Sequence, residues 1–178
     1  LRGRGKKPLF LVMLSTIMLP PILTAIPTYV MFSRIGLIDT YWPWAFWGLA
    51  SSPFMVFLFR QFFSSIPKEL EEAAIIDGCS YWHIYWRIFL PLSGPVIATS
   101  LLLSFASVWG DWFTPSIFLS DVNTTLAVAV RIGYTDERGN TLMNIVAAGS
   151  VIYILPVLLL FFGAQRFFVR GIVTTGLK

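Results

Sequence analysis

The stretch Glu69–Pro91 reads ELEEAAIIDGCSYWHIYWRIFLP. It is a charged island between apolar runs, and its reading decides how the remainder of the chain is understood. It carries four of the nine acidic residues (Glu69, Glu71, Glu72 and Asp77), the one histidine, His83, and the one cysteine, Cys79. Its first half has the signals of a short helix. Ser65 is expected to cap it and Pro67 suits its first turn. The three glutamates then lie near the positive end of the helix dipole. Gly78 suits a left-handed stop. About three turns, or about 18 Å, is too short and too acidic to cross a bilayer. Ser80 is placed to cap a second segment, YWHIYWRIFL, which Pro91 is expected to stop. On it Tyr81, Ile84, Tyr85 and Ile88 share one face, and Trp82, Trp86 and Phe89 another. Aromatics in that pattern suit a membrane surface.

Composition explains why such an island stands out. The 178 residues are 56% hydrophobic and 12% charged, with 16 Phe and 7 Trp. Soluble domains carry about 25% charged residues, so lipid is the expected solvent. The net charge of +4 is modest. Its basic residues lie between apolar runs, not on one soluble face, which argues against nucleic acid. A lone Cys79 excludes an intramolecular disulfide and a multi-cysteine metal framework, and reads as a small packing residue. The chain opens at Leu1 with LRGRGKK, and the apolar run that follows is too long for a signal peptide. Leu1 is therefore read as the start of a fragment.

Charge-free windows predict four transmembrane helices, at about 9–32, 43–63, 93–119 and 144–167. The expected fold is all-α, a polytopic helix bundle with residues 65–91 as one loop between spans. Four spans put the N-terminus, that loop and the C-terminus on one side. Arg2, Arg4, Lys6, Lys7, Arg60, Lys68, Arg87, Arg166, Arg170 and Lys178 fall there, against Arg34, Arg131 and Arg138 opposite. The positive-inside bias makes the 60–91 loop cytoplasmic and turns 34–42 and 121–138 outward. Pro20, Pro21, Pro27, Pro53 and Pro156 interrupt the windows, as expected of kinked helices around a pathway or of ordinary kinked packing.

Glu72-Ala73-Ala74, Gly78, Ile88, Leu90 and Pro91 fit the pattern EAA-x3-G-x9-I-x-LP. This resembles the EAA motif of the membrane-spanning permease subunits of bacterial ABC importers. The text around it, IPKELEEAAIIDG, RIFLPLSGP and the terminal GIVTTGLK, is similar to the sugar-importer branch that includes the maltose permease subunits. The resemblance covers essentially the whole chain. It implies an ABC importer permease fold with about six spans, two of them before Leu1. It implies a coupling helix at Glu72, Ala73, Ala74 and Gly78 that docks on a separate ATPase, with Ile88, Leu90 and Pro91 seating the second segment. Implied partners are ATP-binding cassette ATPase subunits, a second homologous permease, an extracellular or periplasmic solute-binding protein and membrane lipid. ATP hydrolysis then lies in another subunit, so this chain is expected to be neither an enzyme nor a cofactor protein. The implied location is the bacterial inner membrane.

The residues agree with that division. No G-x4-G-K-[ST] phosphate loop is present, and GIVTTGLK misses it because Leu177 separates Gly176 from Lys178. His83 reads as an interfacial contact, and no metal ligands cluster in the sequence. Asp111, in SVWGDWFTPS, is the one acid inside a window. With Trp109 and Trp112 it forms the candidate substrate pathway, since an ionisable group in a span suggests function and aromatic faces suit sugars. The alternative is a structural carboxylate. Family members often carry Asn before the acid here, whereas this chain has Gly110. Three other readings remain beside a sugar permease. One is an ABC permease for glycerol phosphate, peptide or amino acid. Another is a secondary transporter, which calls for charge relays or repeats. The last is a membrane enzyme, which calls for several acids or histidines at one depth.

Overall fold

The computed structural model describes residues 5–50, 52–136 and 138–175. Its secondary structure is helical. Among the described residues the sole β pairing is an isolated bridge between Thr135 and Thr141. Two compact units are formed. Of the described residues, the first holds those within 5–50 and 105–159, the second those within 52–104 and 160–175.

In the first unit, α1 (Lys6–Ile17) and α2 (Pro21–Arg34) meet at an 89° bend. Pro20 and Pro21 explain the break, because Pro21 starts α2 where a missing N–H costs nothing. Pro27 lies inside α2. Helix α3 (Trp42–Leu49) follows a turn in which Asp39 adopts φ 61°. The unit resumes at Phe105 and continues through α9 (Phe113–Phe118), α10 (Leu126–Ile132) and the first part of α11 (Met143–Thr175).

An aromatic cluster holds this unit together. Phe118 is 2% exposed. Its ring centroid lies 5.5 Å from Tyr29, 6.2 Å from Phe32, 6.1 Å from Trp44 and 5.5 Å from Trp47. All four contacts are edge-on, the arrangement that ring quadrupoles favour. Pro43 and Pro115 are buried beside them in sequence. Gly149 lets α11 approach α10: a Cβ there would stand 3.3 Å from Val130 Cγ2.

The second unit contains α4 (Pro53–Ser65), α5 (Lys68–Ile76), α6 (Tyr81–Ile84), a π-helical turn (Tyr85–Phe89), α7 (Leu90–Leu92) and most of α8 (Gly94–Trp109). Two local expectations are corrected here. Ser65 does not cap the charged helix. It ends α4, its hydroxyl donates to Phe62 O at 2.7 Å, and Pro67 takes the N-cap position of α5. Pro91 does not stop the aromatic segment either. It occupies the first turn of α7, where its lack of an N–H is harmless, and the chain turns at Ser93 instead.

Ser93 is 1% exposed and is where the helical axis bends by 65°. Its amide donates to Phe89 O and Leu90 O, and its hydroxyl donates to Phe89 O at 2.6 Å. Ser93→Ala removes only the hydroxyl bond and is expected to cost about 0.5–1.5 kcal/mol. Ser93→Leu must also force methylenes into a closed site and is expected to cost about 1–3 kcal/mol more. Thermal unfolding of the purified full-length protein, with the two variants in that order, checks this.

Met143–Gln165 is long and apolar enough to cross a membrane alone. Among the described residues there are up to three such spans if each bent pair, α1 with α2 and Tyr81–Leu92 with α8, counts as one. The window 43–63 falls on α3 and α4, with Pro53 beginning α4. Pro156 lies inside α11. Many large apolar side chains face outward, including Leu9, Val12, Ile26, Leu101, Val151 and Leu159. Such a surface is costly in water and natural against lipid or another membrane subunit.

Candidate functional site

The charged island folds as a helix, a sharp turn and a second helix. In α5 the last turn closes with a Schellman pattern: Cys79 N donates to Ala74 O at 2.9 Å and Gly78 N to Ile75 O at 3.0 Å. Gly78 has φ 77°, a conformation that a Cβ would strain. The α6 helix then starts at Ser80, whose hydroxyl oxygen accepts from His83 N at 3.3 Å. His83 is exposed and Cys79 half-buried.

Exposure divides α5 into two faces. Ala74 is buried at 6%. Glu72, Ala73 and Gly78 are exposed. So are Leu70, Ile75 and Ile76, the last at 85%. Leu70, Ala73 and Ile76 are three residues apart in sequence and so share a face. The apolar members of that face, Leu70 and Ile76, carry a signal that the EAA pattern alone does not contain. On the second segment Ile84 is buried, Ile88 and Leu90 are half-buried and Pro91 is exposed. Phe89 meets Phe63 of α4 at 5.9 Å between ring centroids. Tyr81, Trp82, Tyr85 and Trp86 remain exposed.

Trp109, Asp111 and Trp112 are brought to one turn, but each engages a different group. Trp109 Nε1 donates to Tyr153 O at 2.9 Å, and its ring stacks between Phe105 and Tyr153. Asp111 Oδ1 accepts from Thr114 N at 3.0 Å and so caps the start of α9. Trp112 lies under the guanidinium of Arg131, 5.0 Å from the ring centroid. From sequence alone Arg131 counts only as a charge in the 121–138 loop. Its pairing with Trp112 is not visible at any local spacing.

The turn before α3 and the turn after α9 are tied by Asp39. Its amide donates to Phe118 O at 2.8 Å, and its Oδ1 accepts from Ser120 N at 2.7 Å. Asn123 Nδ2 donates to Asp39 O, and Tyr41 Oη donates to Asn123 O at 2.8 Å. The bond from the Ser120 amide, with the Ser120 and Asn123 side chains after it, holds the Asp39 carboxyl below its ordinary 3.8. A lowered folded-state value means the carboxylate stabilises the tie above pH 3.8 and the contribution is lost as pH falls through the lower folded value. The protection factor of the Ser120 amide is therefore expected to be steady at neutral pH and to collapse only under acid conditions below 3.8. Hydrogen exchange across pH, corrected for intrinsic rate, measures it. Asp136 makes a second such turn, accepting from the amides of Arg138 and Asn140, and Asn140 holds its carboxyl below 3.8 as well.

Among the described residues, no three His, Cys, Asp or Glu side chains gather as metal ligands. The near-miss phosphate loop at Gly176–Lys178, and Arg2, Arg4 and Lys178 of the charge bias, lie outside the described residues.

Bent pairs of apolar helices and an EAA pattern on α5 are features that the resemblance to ABC importer permeases implies. Residues 1–174 match the family of binding-protein-dependent transport system inner membrane components, and the chain belongs to that family. The probable ABC transporter permease protein YurM of Bacillus subtilis is 35% identical over 179 residues, covering 98% of this chain and 58% of YurM. The maltose/maltodextrin permease protein MalG of Vibrio vulnificus is 33% identical, covering 100% of this chain and 62% of MalG. The crystal structure of a bacterial ABC transporter involved in import of the acidic polysaccharide alginate superposes with a TM-score of 0.72. It shows 26% identity over 94% of this chain and 63% of that one. The chain thus spans about three fifths of the length of these relatives. It has the permease fold and is a transmembrane transport component.

Proposed function

We propose that this chain is the membrane-spanning permease part of an ATP-driven sugar importer, coupled to a separate ATPase through α5. The exposed Leu70–Ala73–Ile76 face is the observation that carries the coupling reading. An apolar ridge with a small residue at its centre fits a partner's groove, and α5 projects it on a helix closed rigidly at Gly78. Sugar is favoured because relatives are described as carriers of maltose and maltodextrin, of arabinooligosaccharides and of melibiose, raffinose and stachyose. A non-sugar solute is the second reading, supported by an sn-glycerol-3-phosphate permease protein at 36% identity.

The proposed topology has four crossings, with α3 and α4 together forming the second. Residues 60–91 and both ends face the cytoplasm, and 121–138 faces the solute-binding protein. Trp109, Asp111 and Trp112 line the pathway, Asp111 also capping α9. The test is reconstitution of the full-length protein with its paired permease, ATPase and binding protein. ATP hydrolysis should rise with a loaded binding protein for some member of a sugar panel. Stimulation by glycerol phosphate but by no sugar selects the second reading. No stimulation by any solute removes both.

A further inference from the structure

We propose that Arg131 and its aromatic neighbours form an anion-recognising groove that takes sugars bearing a carboxylate or phosphate. This deepens the permease reading and rests on it. The groove has a volume of about 410 Å³ and is lined by Gly110, Trp112, Ala127, Val130, Arg131 and Tyr153. That size is within the range of small-ligand sites, about 300–1,000 Å³.

Its chemistry is unusual for so apolar a chain. The Arg131 guanidinium lies 5.0 Å from the centroid of the Trp112 ring. Stacking on a ring orients the guanidinium plane but uses none of its five N–H donors. Among the described residues no carboxylate lies within ion-pair distance of Arg131. A guanidinium held in this way, with no carboxylate partner among the described residues, matches a carboxylate or phosphate in forked geometry. The Tyr153 part of the lining is also held in place. Tyr153 is stacked on Trp109 at 6.0 Å, and Trp109 is pinned by its bond to Tyr153 O. The Tyr153 hydroxyl stands 3.6 Å from where a Gly110 Cβ would be, so the absent side chain keeps that edge open. A cation, a hydroxyl and two aromatic rings around one groove suit an acidic sugar: the acid meets Arg131 and the ring's apolar face meets the aromatics.

The competing role for Arg131 is structural, since it sits in the last turn of α10 and complements that helix's dipole. That role predicts a change in stability without discrimination among solutes. The experiment uses the full-length protein assembled with its paired permease and ATPase in phosphatidylcholine nanodiscs. Binding of digalacturonate and of its neutral counterpart, galactobiose, is measured by calorimetry. Arg131→Gln is expected to weaken digalacturonate by about tenfold or more and to leave galactobiose unchanged. Arg131→Lys, which keeps the charge and loses the fork, should fall between and serves if the glutamine variant assembles poorly. Equal binding of the two sugars, unmoved by either variant, overturns the groove while leaving the permease reading standing. Binding of neither sugar overturns the acidic-sugar groove. An Arg131-dependent response found only when phosphatidylglycerol enters the nanodisc assigns the groove to a lipid headgroup and overturns the solute assignment.

Discussion

Phe118→Ala is expected to destabilise the protein by about 3–5 kcal/mol, the largest effect of any single truncation in the first unit. Phe118 is 2% exposed and meets four aromatic rings edge-on. Its removal leaves a cavity that stiff, mutually packed rings fill poorly, so the cavity term adds to the lost contacts. The consequence reaches the Asp39 turn as well. The Phe118 carbonyl receives the Asp39 amide, and Ser120, two residues on, donates to the Asp39 carboxylate. Loosening α9 at Phe118 should therefore loosen that tie. The check is thermal unfolding of the full-length protein together with exchange protection at Asp39 and Ser120. Phe118→Leu, which refills most of the volume, should recover much of the loss. A melting temperature unchanged by the alanine variant would show that the cluster is not the core of this unit.

What was legible in the sequence was what is decided within a turn or two of helix. Gly78 stops α5 and Ser80 caps α6 because both signals are local and compete with nothing nearby. The same logic failed at Ser65 and Pro91, where two local rules applied at once. Ser65 suits an N-cap, but it also follows a long apolar run, and α4 runs on to it. Pro91 breaks a helix interior but suits a helix start. A π turn at Tyr85–Phe89 resets the ladder just before it, so the second rule prevailed. Hydropathy found apolar windows but not that α3 ends at Leu49 and α4 begins at Pro53 inside one of them, because hydropathy is blind to helix ends.

At the candidate sites the same limit applies. Asp111 was conspicuous as an acid in an apolar window, and its cap on Thr114 N is a three-residue relation that the sequence permits. The Asp39–Ser120 bond joins residues 81 apart, and Arg131 of α10 meets Trp112 at the N-cap of α9. Nothing in spacing or composition marks such pairs. They arise from how helices pack. The inward face of α5 shows the converse. Glu72, Ala73 and Ala74 were grouped by one motif, yet burial separates Ala74 from the other two.

That separation yields the prediction with the largest expected effect on activity. Ala73→Trp is expected to reduce binding-protein-stimulated ATP hydrolysis by about a hundredfold while leaving the melting temperature unchanged. About 3 kcal/mol at the centre of a docking face corresponds to that factor. Ala73 is exposed, so an indole there extends away from the buried side of α5 and occupies the space a partner needs. Ala74→Trp, one residue away, has the opposite signature. Ala74 is 6% exposed, and overpacking it should lower stability by about 1–3 kcal/mol or more and impair assembly. Gly78→Ala tests the turn separately. No atom lies within 4 Å of its would-be Cβ, so the cost is the left-handed backbone alone, about 1–2 kcal/mol. If α5 is the mechanical link, activity lost through Ala73→Trp should not return on cooling, because it reflects a blocked contact. Activity lost through Gly78→Ala should partly return, because it reflects a helix end that unfolds. Full activity in Ala73→Trp, with assembly intact, would place the link to the ATPase elsewhere on the chain.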